Sequence, residues 1–115
     1  MGVYSIESVK GEGHVQTAYK GKDNPIEVQL KEDCKEYDFS TATVIRCKIG
    51  KTTIDSSTDS GAFDTTEAQI GRLKIFIGDQ NVEPKAYNVK VEIDDAEGRT
   101  LYFGQVRVRV EDPGI

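Results

Sequence analysis

The sequence is poor in the residues that build metal and redox sites. It has no tryptophan, one histidine, one methionine and two cysteines among 115 residues. A zinc site needs three or four Cys or His ligands, or carboxylates that complete a His pair, so His14 does not anchor one. Cys34 and Cys47 exclude a disulfide framework, and their spacing matches neither a Cys-x-x-Cys redox pair nor a zinc knuckle. We expect no metal and no cofactor.

Long apolar runs are also missing. No stretch approaches the roughly 18 consecutive apolar residues that span a bilayer. The first residues, Met1 to Ile6, lack the apolar centre of a signal peptide. We therefore predict a protein made without export, in a reducing compartment, with no membrane partner.

Positive charge is scarce relative to negative charge. The formal net charge is -5 and the isoelectric point is near 4.9. The 15 basic residues are scattered along the sequence, whereas phosphate binding needs several Lys or Arg on one surface. We therefore predict no nucleic-acid partner.

No catalytic constellation stands out. Asp59-Ser60-Gly61 resembles a serine-protease nucleophile segment, but His14 lies in another predicted strand and so short a chain leaves little room for a substrate cleft. The acidic segment 94–98 lacks the alternating acidic positions of an EF-hand calcium loop. Gly11-Glu12-Gly13 has Gln16 where the third glycine of a dinucleotide fingerprint belongs. With 20 acidic residues, carboxylate pairs at suitable separations arise by chance. We predict a protein that is not an enzyme.

What the sequence does contain is period-two alternation of apolar and polar residues. Apolar side chains alternate with polar ones in several segments, for example at Val89, Val91 and Ile93 and again at Val106, Val108 and Val110. This pattern places apolar side chains on one face of a strand and favours antiparallel sheets with one wet face. The strands are expected at about 3–10, 14–20, 25–31, 42–49, 51–55, 71–77, 86–94 and 99–111.

These strands predict one all-β domain over residues 1–115, an antiparallel two-sheet Ig-like β-sandwich of about seven or eight strands. Turns are expected at 11–13, 21–25 and 49–51, and the strongest local prediction is a hairpin from Ala86 to Glu111 closed near Gly98. Segment 56–61 is interpreted as a mobile loop, and 65–69 as one helical turn. Cys47 is expected inside the core and Cys34 partly exposed.

Candidate functional residues are those that the alternation turns outward or that lie in the polar loop. Phe76 is out of phase with its apolar neighbours, and Tyr102 points away from Phe103. The loop contributes small and acidic side chains, because loops often carry binding. The candidate interaction surface consists of Phe76, Tyr102, Arg107, Arg109, Ser57 and Asp59.

Five segments resemble a phage family. They run in the family's order, over roughly residues 23–111: Asn24-Pro25-Ile26-Glu27-Val28-Gln29-Leu30, Asp38-Phe39-Ser40-Thr41-Ala42-Thr43-Val44, Gly71-Arg72-Leu73-Lys74-Ile75, Pro84-Lys85-Ala86-Tyr87-Asn88-Val89-Lys90-Val91, and Glu97-Gly98-Arg99 with Phe103-Gly104-Gln105-Val106-Arg107-Val108. This order resembles the N-terminal Ig-like domain of siphophage upper baseplate proteins and related small virion proteins. Family members usually have glycine where this chain has Ala86, so a different turn is expected there.

The resemblance implies a structural subunit of a phage tail, baseplate, neck or fibre attachment. Its partners would be other virion proteins and further copies of itself in a ring or trimer, assembled in the bacterial cytoplasm into the virion. The family supplies no catalytic residues. Two other interpretations stay open: a carbohydrate-binding or adhesion module using Tyr87, Tyr102 and the loop 56–61, and an accessory domain of an enzyme without a ligand of its own.

Overall fold

The residues that the structure describes form ten strands in two sheets, which enclose one apolar layer. The computed structural model describes residues 2–9 and 15–114. The strands are β1 (Tyr4–Ser8), β2 (Gln16–Tyr19), β3 (Ile26–Glu32), β4 (Lys35–Glu36), β5 (Val44–Ile49), β6 (Thr52–Asp55), β7 (Phe63–Asp64), β8 (Arg72–Ile75), β9 (Ala86–Asp94) and β10 (Thr100–Glu111). Within the described residues the helical elements are two single 3-10 turns, Ser60–Ala62 and Ala68–Ile70. The predicted turn at 11–13 and His14 lie outside the described residues.

Each sheet contains five of these strands. Sheet 1 has the order β1-β3-β8-β7, with β4 also paired to β3, and sheet 2 has the order β2-β10-β9-β5-β6. The chain changes sheets between β1, which is antiparallel to β3, and β2, which lies parallel to β10. All other strand pairs among the described residues are antiparallel.

This architecture confirms the predicted Ig-like β-sandwich and corrects its details. The described part of the chain has ten strands, more than the seven or eight predicted, because β4 and β7 are only two residues long and so short a strand shows no alternation. The sheets are also not wholly antiparallel, since β2 is parallel to β10. The predicted helical turn at 65–69 is a 3-10 turn slightly later in the chain.

The core is built from alternate residues of the long strands. Val28, Leu73, Val89 and Val91 are fully buried, and Cys47 packs among them as predicted. Such alternation leaves the other face of each strand free for polar side chains. The two sheets therefore meet through a single dry layer, and function has to be sought on their outer faces, edges and turns.

A β-bulge keeps both halves of β10 in phase with this core. Leu101 and Phe103 are buried at odd positions, whereas Val106, Val108 and Val110 are buried at even positions. The register with β9 shifts between Tyr102 and Gly104, where Gly104 has φ of 115°. One additional residue at a bulge reverses the side-chain alternation, so the strand remains apolar on its inner side. The predicted hairpin from Ala86 to Glu111 is confirmed around this bulge.

Tyr87 forms the corner typical of Ig-like sandwiches. Its hydroxyl donates to the Glu83 carbonyl oxygen at 2.6 Å, and its side chain is 9% exposed at the start of β9. Gly50, in the β5–β6 turn, lies directly against the ring, so that a Cβ there would be 2.9 Å from a ring carbon. Tyr87 therefore ties the segment before β9 to the neighbouring hairpin.

The β3–β4 turn adopts a conformation that glycine and asparagine favour. Asp33 has φ of 53° and Cys34 has φ of 66°. Two positive φ values in a two-residue hairpin are the signature of a type I′ turn. Asp33 is anchored because its N–H donates to the Val3 carbonyl and its carboxylate accepts from the Val3 N–H, at 2.8 and 2.9 Å. Cys34 is exposed at the tip.

Replacing Tyr87 by phenylalanine tests the corner. Tyr87→Phe removes one hydroxyl donor and keeps the ring, so we expect a loss of about 1 kcal/mol in the free energy of unfolding. Urea unfolding followed by circular dichroism measures the change. Tyr102→Phe is the matched control, because Tyr102 is 54% exposed, and we expect it to leave the midpoint unchanged. Equal effects of the two variants would contradict the role of the corner.

Replacing Cys34 by glycine tests the backbone strain at the hairpin tip. A left-handed conformation costs a residue with a Cβ about 1–2 kcal/mol, partly offset by the larger chain entropy of glycine when unfolded. We expect Cys34→Gly to stabilise the protein by roughly 0.5–1 kcal/mol in thermal or urea unfolding under reducing conditions. Cys34→Ala removes the thiol but keeps the Cβ and should give no gain. An equal gain from both variants would assign the effect to the thiol.

Candidate interaction face

The structure brings together three of the six candidate residues. Tyr102, Arg107 and Arg109 project from β10 onto the outer face of sheet 2, and all three are exposed. Phe76 follows β8 in sheet 1, and Ser57 and Asp59 lie in the loop after β6. The predicted surface is therefore not one patch, and the outer face of sheet 2 holds its largest part.

Phe76 is half-buried and directly follows β8 in sheet 1. Its backbone N–H donates to the Ala62 carbonyl at 2.8 Å, which prolongs the pairing of β7 with β8. The sequence places Phe76 out of phase with its apolar neighbours, and the structure confirms that it is less buried than Ile75 and Ile77.

Ser57 and Asp59 are engaged in the internal hydrogen bonds of their loop. The Ser57 hydroxyl and N–H both donate to Oδ1 of Asp55, at 2.6 and 2.8 Å, and these bonds lower the pKa of Asp55. Asp59 accepts a hydrogen bond from Nε2 of Gln80 at 2.9 Å. Hydrogen bonds connect segment 56–61, which the sequence predicts to be a mobile loop, to Asp55, to Gln80 and, through Ser56, to Ile45.

In one half of the outer face of sheet 2, an arginine forms ion pairs with carboxylates of the neighbouring strand. Arg46 of β5 bonds Glu92 at 2.8 Å and forms a two-pronged contact with Asp94 at 2.6 and 2.9 Å. The hydrogen bond to Glu92, opposed by partial burial, raises the pKa of Arg46. Arginine suits this role because its planar group binds a carboxylate through two parallel hydrogen bonds.

The other half of this face is basic, and its two lysines have no carboxylate partner among the described residues. Lys48 of β5 stands directly opposite Lys90 of β9 in the antiparallel register, and neither lysine forms an ion pair with the described residues. Arg107 reaches only the side-chain oxygen of Asn88, at 3.4 Å, and Arg109 lies 3.3 Å from Glu111. We call Lys48, Lys90, Arg107 and Arg109 the basic face. Like charges directly opposite one another on neighbouring strands are destabilising.

The basic face corrects the description of the basic residues as scattered. Lys48, Lys90 and Arg107 are far apart along the chain, and the β5–β9–β10 pairing places them on one surface. Sequence reasoning found Arg107 and Arg109 because they share a strand. It missed Lys48 and Lys90, although both occupy outward positions in alternating segments, because alternation does not reveal which strands are neighbours.

Tyr102 borders a shallow depression on the same face. The depression measures about 250 Å³ and is lined by Lys48, Lys90, Val91, Glu92 and Tyr102. Tyr87, by contrast, is buried in its corner contact, so it does not present a ring for stacking. The carbohydrate interpretation therefore loses Tyr87 and keeps Tyr102.

The acidic β9–β10 turn is organised by its own hydrogen bonds. Asp95 is 7% exposed, and it accepts hydrogen bonds from the N–H groups of Glu97 and Arg99 and from the Arg99 side chain at 2.8–3.0 Å. Burial acts to raise the pKa of Asp95, but the hydrogen bonds from Arg99 and Glu97 outweigh it and hold the pKa below its usual value. Asp94 bonds Arg46, so both leading carboxylates of the predicted turn have protein partners.

The described residues contain no group of three or more His, Cys, Asp or Glu side chains placed to hold a metal ion. Burial raises the pKa of the Cys47 thiol to about 12, which keeps it protonated and unreactive. Ser60 lies in a short 3-10 turn. A search of the described residues for a helix long and apolar enough to cross a membrane finds none.

Comparisons with known proteins reveal likeness of fold. No family model matches the chain, and neither does any curated protein. The chain is similar to part of an endo-β-1,4-mannanase from Thermotoga petrophila, with a TM-score of 0.52 and 7% identity over 96% of this chain. It spans 20% of that enzyme. It is also similar to fibronectin(III)-like modules of Clostridium thermocellum CbhA, with a TM-score of 0.48 and 20% identity over 94% of both chains. At 7% identity, the mannanase likeness shows the fold alone.

Replacing Asp95 tests the charge of the acidic turn. Because the folded pKa of Asp95 is lowered, its contribution is present above the unfolded pKa, about 3.9, and is lost as pH falls through the folded value. We expect Asp95→Asn to lower the urea midpoint at pH 7, with a smaller deficit at about pH 3. Glu97→Gln, at an exposed position of the same turn, should change little. A deficit of Asp95→Asn that stays constant with pH would contradict the role of the charge.

Proposed function

We propose that this chain is a non-enzymatic β-sandwich module that acts through protein–protein contacts made by the basic face. The observation that carries the proposal is the opposition of Lys48 and Lys90 without a carboxylate partner among the described residues. An acidic partner would relieve this repulsion.

The flatness of the basic face supports a macromolecular partner. The lysines and arginines stand on the pleated surface of three adjacent strands, and the depression beside Tyr102 is shallow. Small-molecule sites are usually concave and bury most of their ligand. Tyr102 is exposed beside Lys48 and Lys90, and exposed aromatic rings are typical of protein interfaces.

The setting that we propose is a phage particle. The resemblance of the five segments to small Ig-like virion proteins supports a place in the tail, baseplate, neck or fibre attachment. Other virion proteins would then be the partners, and assembly would take place in the bacterial cytoplasm. A module of this kind needs a rigid frame and a specific face, and it needs no catalytic group.

Incorporation into particles tests this function. We expect mass spectrometry of purified particles from the encoding phage to detect the wild-type chain. Lys48→Glu/Lys90→Glu should be incorporated poorly because it reverses two charges of the basic face. Arg72→Glu/Lys74→Glu makes the same change in net charge on sheet 1 and should be incorporated normally. Absence of the wild-type chain from particles would contradict the phage setting.

A carbohydrate-binding module is the second candidate, favoured by one observation. Tyr102 is 54% exposed beside the polar side chains of Lys48, Lys90 and Glu92, and an exposed ring with polar neighbours suits stacking on a sugar. A glycan array distinguishes the candidates: reproducible binding to one sugar class, lost in Tyr102→Ala, would support the module. Silence on the array would leave only the protein-contact function.

A further inference from the structure

Carboxylates are concentrated at one end of the molecule. The β3–β4 and β9–β10 turns lie at one end, because Phe103 of β10 packs against Tyr4 and Tyr37 with ring centroids 5.2 Å apart, and Tyr4 is paired with Glu32 next to the β3–β4 turn. We call the carboxylates around these turns the acidic end, namely Glu32, Asp33, Glu36, Asp38, Asp95 and Glu97. The nearby cations are Lys35, Arg99 and Lys31, which stands opposite Glu36 in the β3–β4 pairing and forms an ion pair with Glu7.

The basic face occupies the opposite half of sheet 2. In the β9–β10 hairpin, Asp94 pairs with Thr100 next to the acidic turn, whereas Ala86 pairs with Arg109 at the far end. Lys51 and Lys85 lie beyond the strands at that far end together with Glu83, and Glu111 is paired with Arg109 there. Between the two regions, Arg46 forms ion pairs with both Glu92 and Asp94, and the three side chains together carry one negative charge. Charge is therefore separated along the strands, and a chain with net charge -5 still carries a basic half-face.

We propose that the partner of the basic face is the acidic end of a second copy of this chain. This inference rests on the proposed protein-contact function and names its partner. The acidic end offers exposed carboxylates at Glu36, Asp38 and Glu97, and the basic face offers cations without internal carboxylate partners at Lys48 and Lys90. Opposite potentials on two surfaces steer association and fix its register.

The geometry of this contact is head to tail. Because the two surfaces differ, each copy uses one to bind the previous copy and the other to bind the next, which generates a ring or an open chain. One end of the molecule and half of one sheet face take part, and the molecule measures 46 by 30 by 24 Å, so the contact is smaller than the ~800 Å² per partner of a standard interface. The contact is therefore weak and sensitive to salt.

Charge-swapped variants test the proposal directly. The face variant is Lys48→Glu/Lys90→Glu, and the end variant is Glu36→Lys/Glu97→Lys. In each variant alone, one of the two docking surfaces loses its excess of charge, so self-association should weaken. In an equimolar mixture, the unchanged basic face of the end variant meets the unchanged acidic end of the face variant. Association should therefore return in the mixture.

Sedimentation velocity of the full chain at about 50 mM salt provides the measurement. We expect the wild type to self-associate, each variant alone to associate at least about tenfold more weakly, and the mixture to recover the wild-type affinity. Raising the salt to about 500 mM should weaken the wild-type association. Arg72→Glu/Lys74→Glu, with the same change in net charge as the face variant, should associate like the wild type, and circular dichroism checks that every variant folds.

Several outcomes would overturn this proposal. They are a wild type that stays monomeric at all concentrations, self-association that survives both reversals, and a mixture that does not recover. If the wild type is monomeric but its incorporation into particles still depends on Lys48 and Lys90, the basic face binds a different protein and the proposed function stands. Binding of an oligonucleotide by the wild type, lost in the face variant and without self-association, would assign the face to nucleic acid.

Discussion

The dry layer between the sheets is the constraint on which the rest of the structure depends. Val28 and Leu73 of sheet 1 and Val89 and Val91 of sheet 2 are fully buried, so the side chains between them in sequence must point outward. Lys90 projects outward because its neighbours on both sides are core valines. Lys48 does so because it lies between Cys47 and Ile49. The burial that stabilises the sandwich thus also places the charges of the outer face.

The same cross-strand register produces opposite results at neighbouring positions of β5. Arg46 stands opposite Glu92 and reaches Asp94, so its charge is neutralised, while Lys48, two residues later, stands opposite Lys90. Both cross-strand pairs join β5 to β9, and neither Arg46 nor Lys48 is in the core. Stability alone explains the pairing of Arg46, since a carboxylate-bound arginine links β5 to β9. It does not explain the pairing of Lys48 with Lys90, in which like charges weaken the sheet.

Alternation was sufficient to predict the long strands, the core position of Cys47 and the β9–β10 hairpin, because these depend on burial of one face. It did not predict β4 and β7, which are too short to show a period, or the parallel pairing of β2 with β10, which depends on a change of sheet. The basic face shows the same limit: Arg107 and Arg109 share one strand and were found, while Lys48 and Lys90 needed the register. Tyr87 was part of the carbohydrate interpretation, and the contact of its hydroxyl with Glu83 could not be predicted from the alternation.

The frame of the molecule and its surface carry different information about function. A segment of a mannanase has this fold at 7% identity, so the sandwich itself does not distinguish one function from another. What distinguishes this chain is the distribution of charge over the frame: carboxylates around the β3–β4 and β9–β10 turns, ion pairs around Arg46, and Lys48 and Lys90 without a carboxylate partner among the described residues. Because the strands run from the acidic turns to the basic face, the charge is separated along the strand direction. A surface polarised in this way favours one orientation of a charged partner.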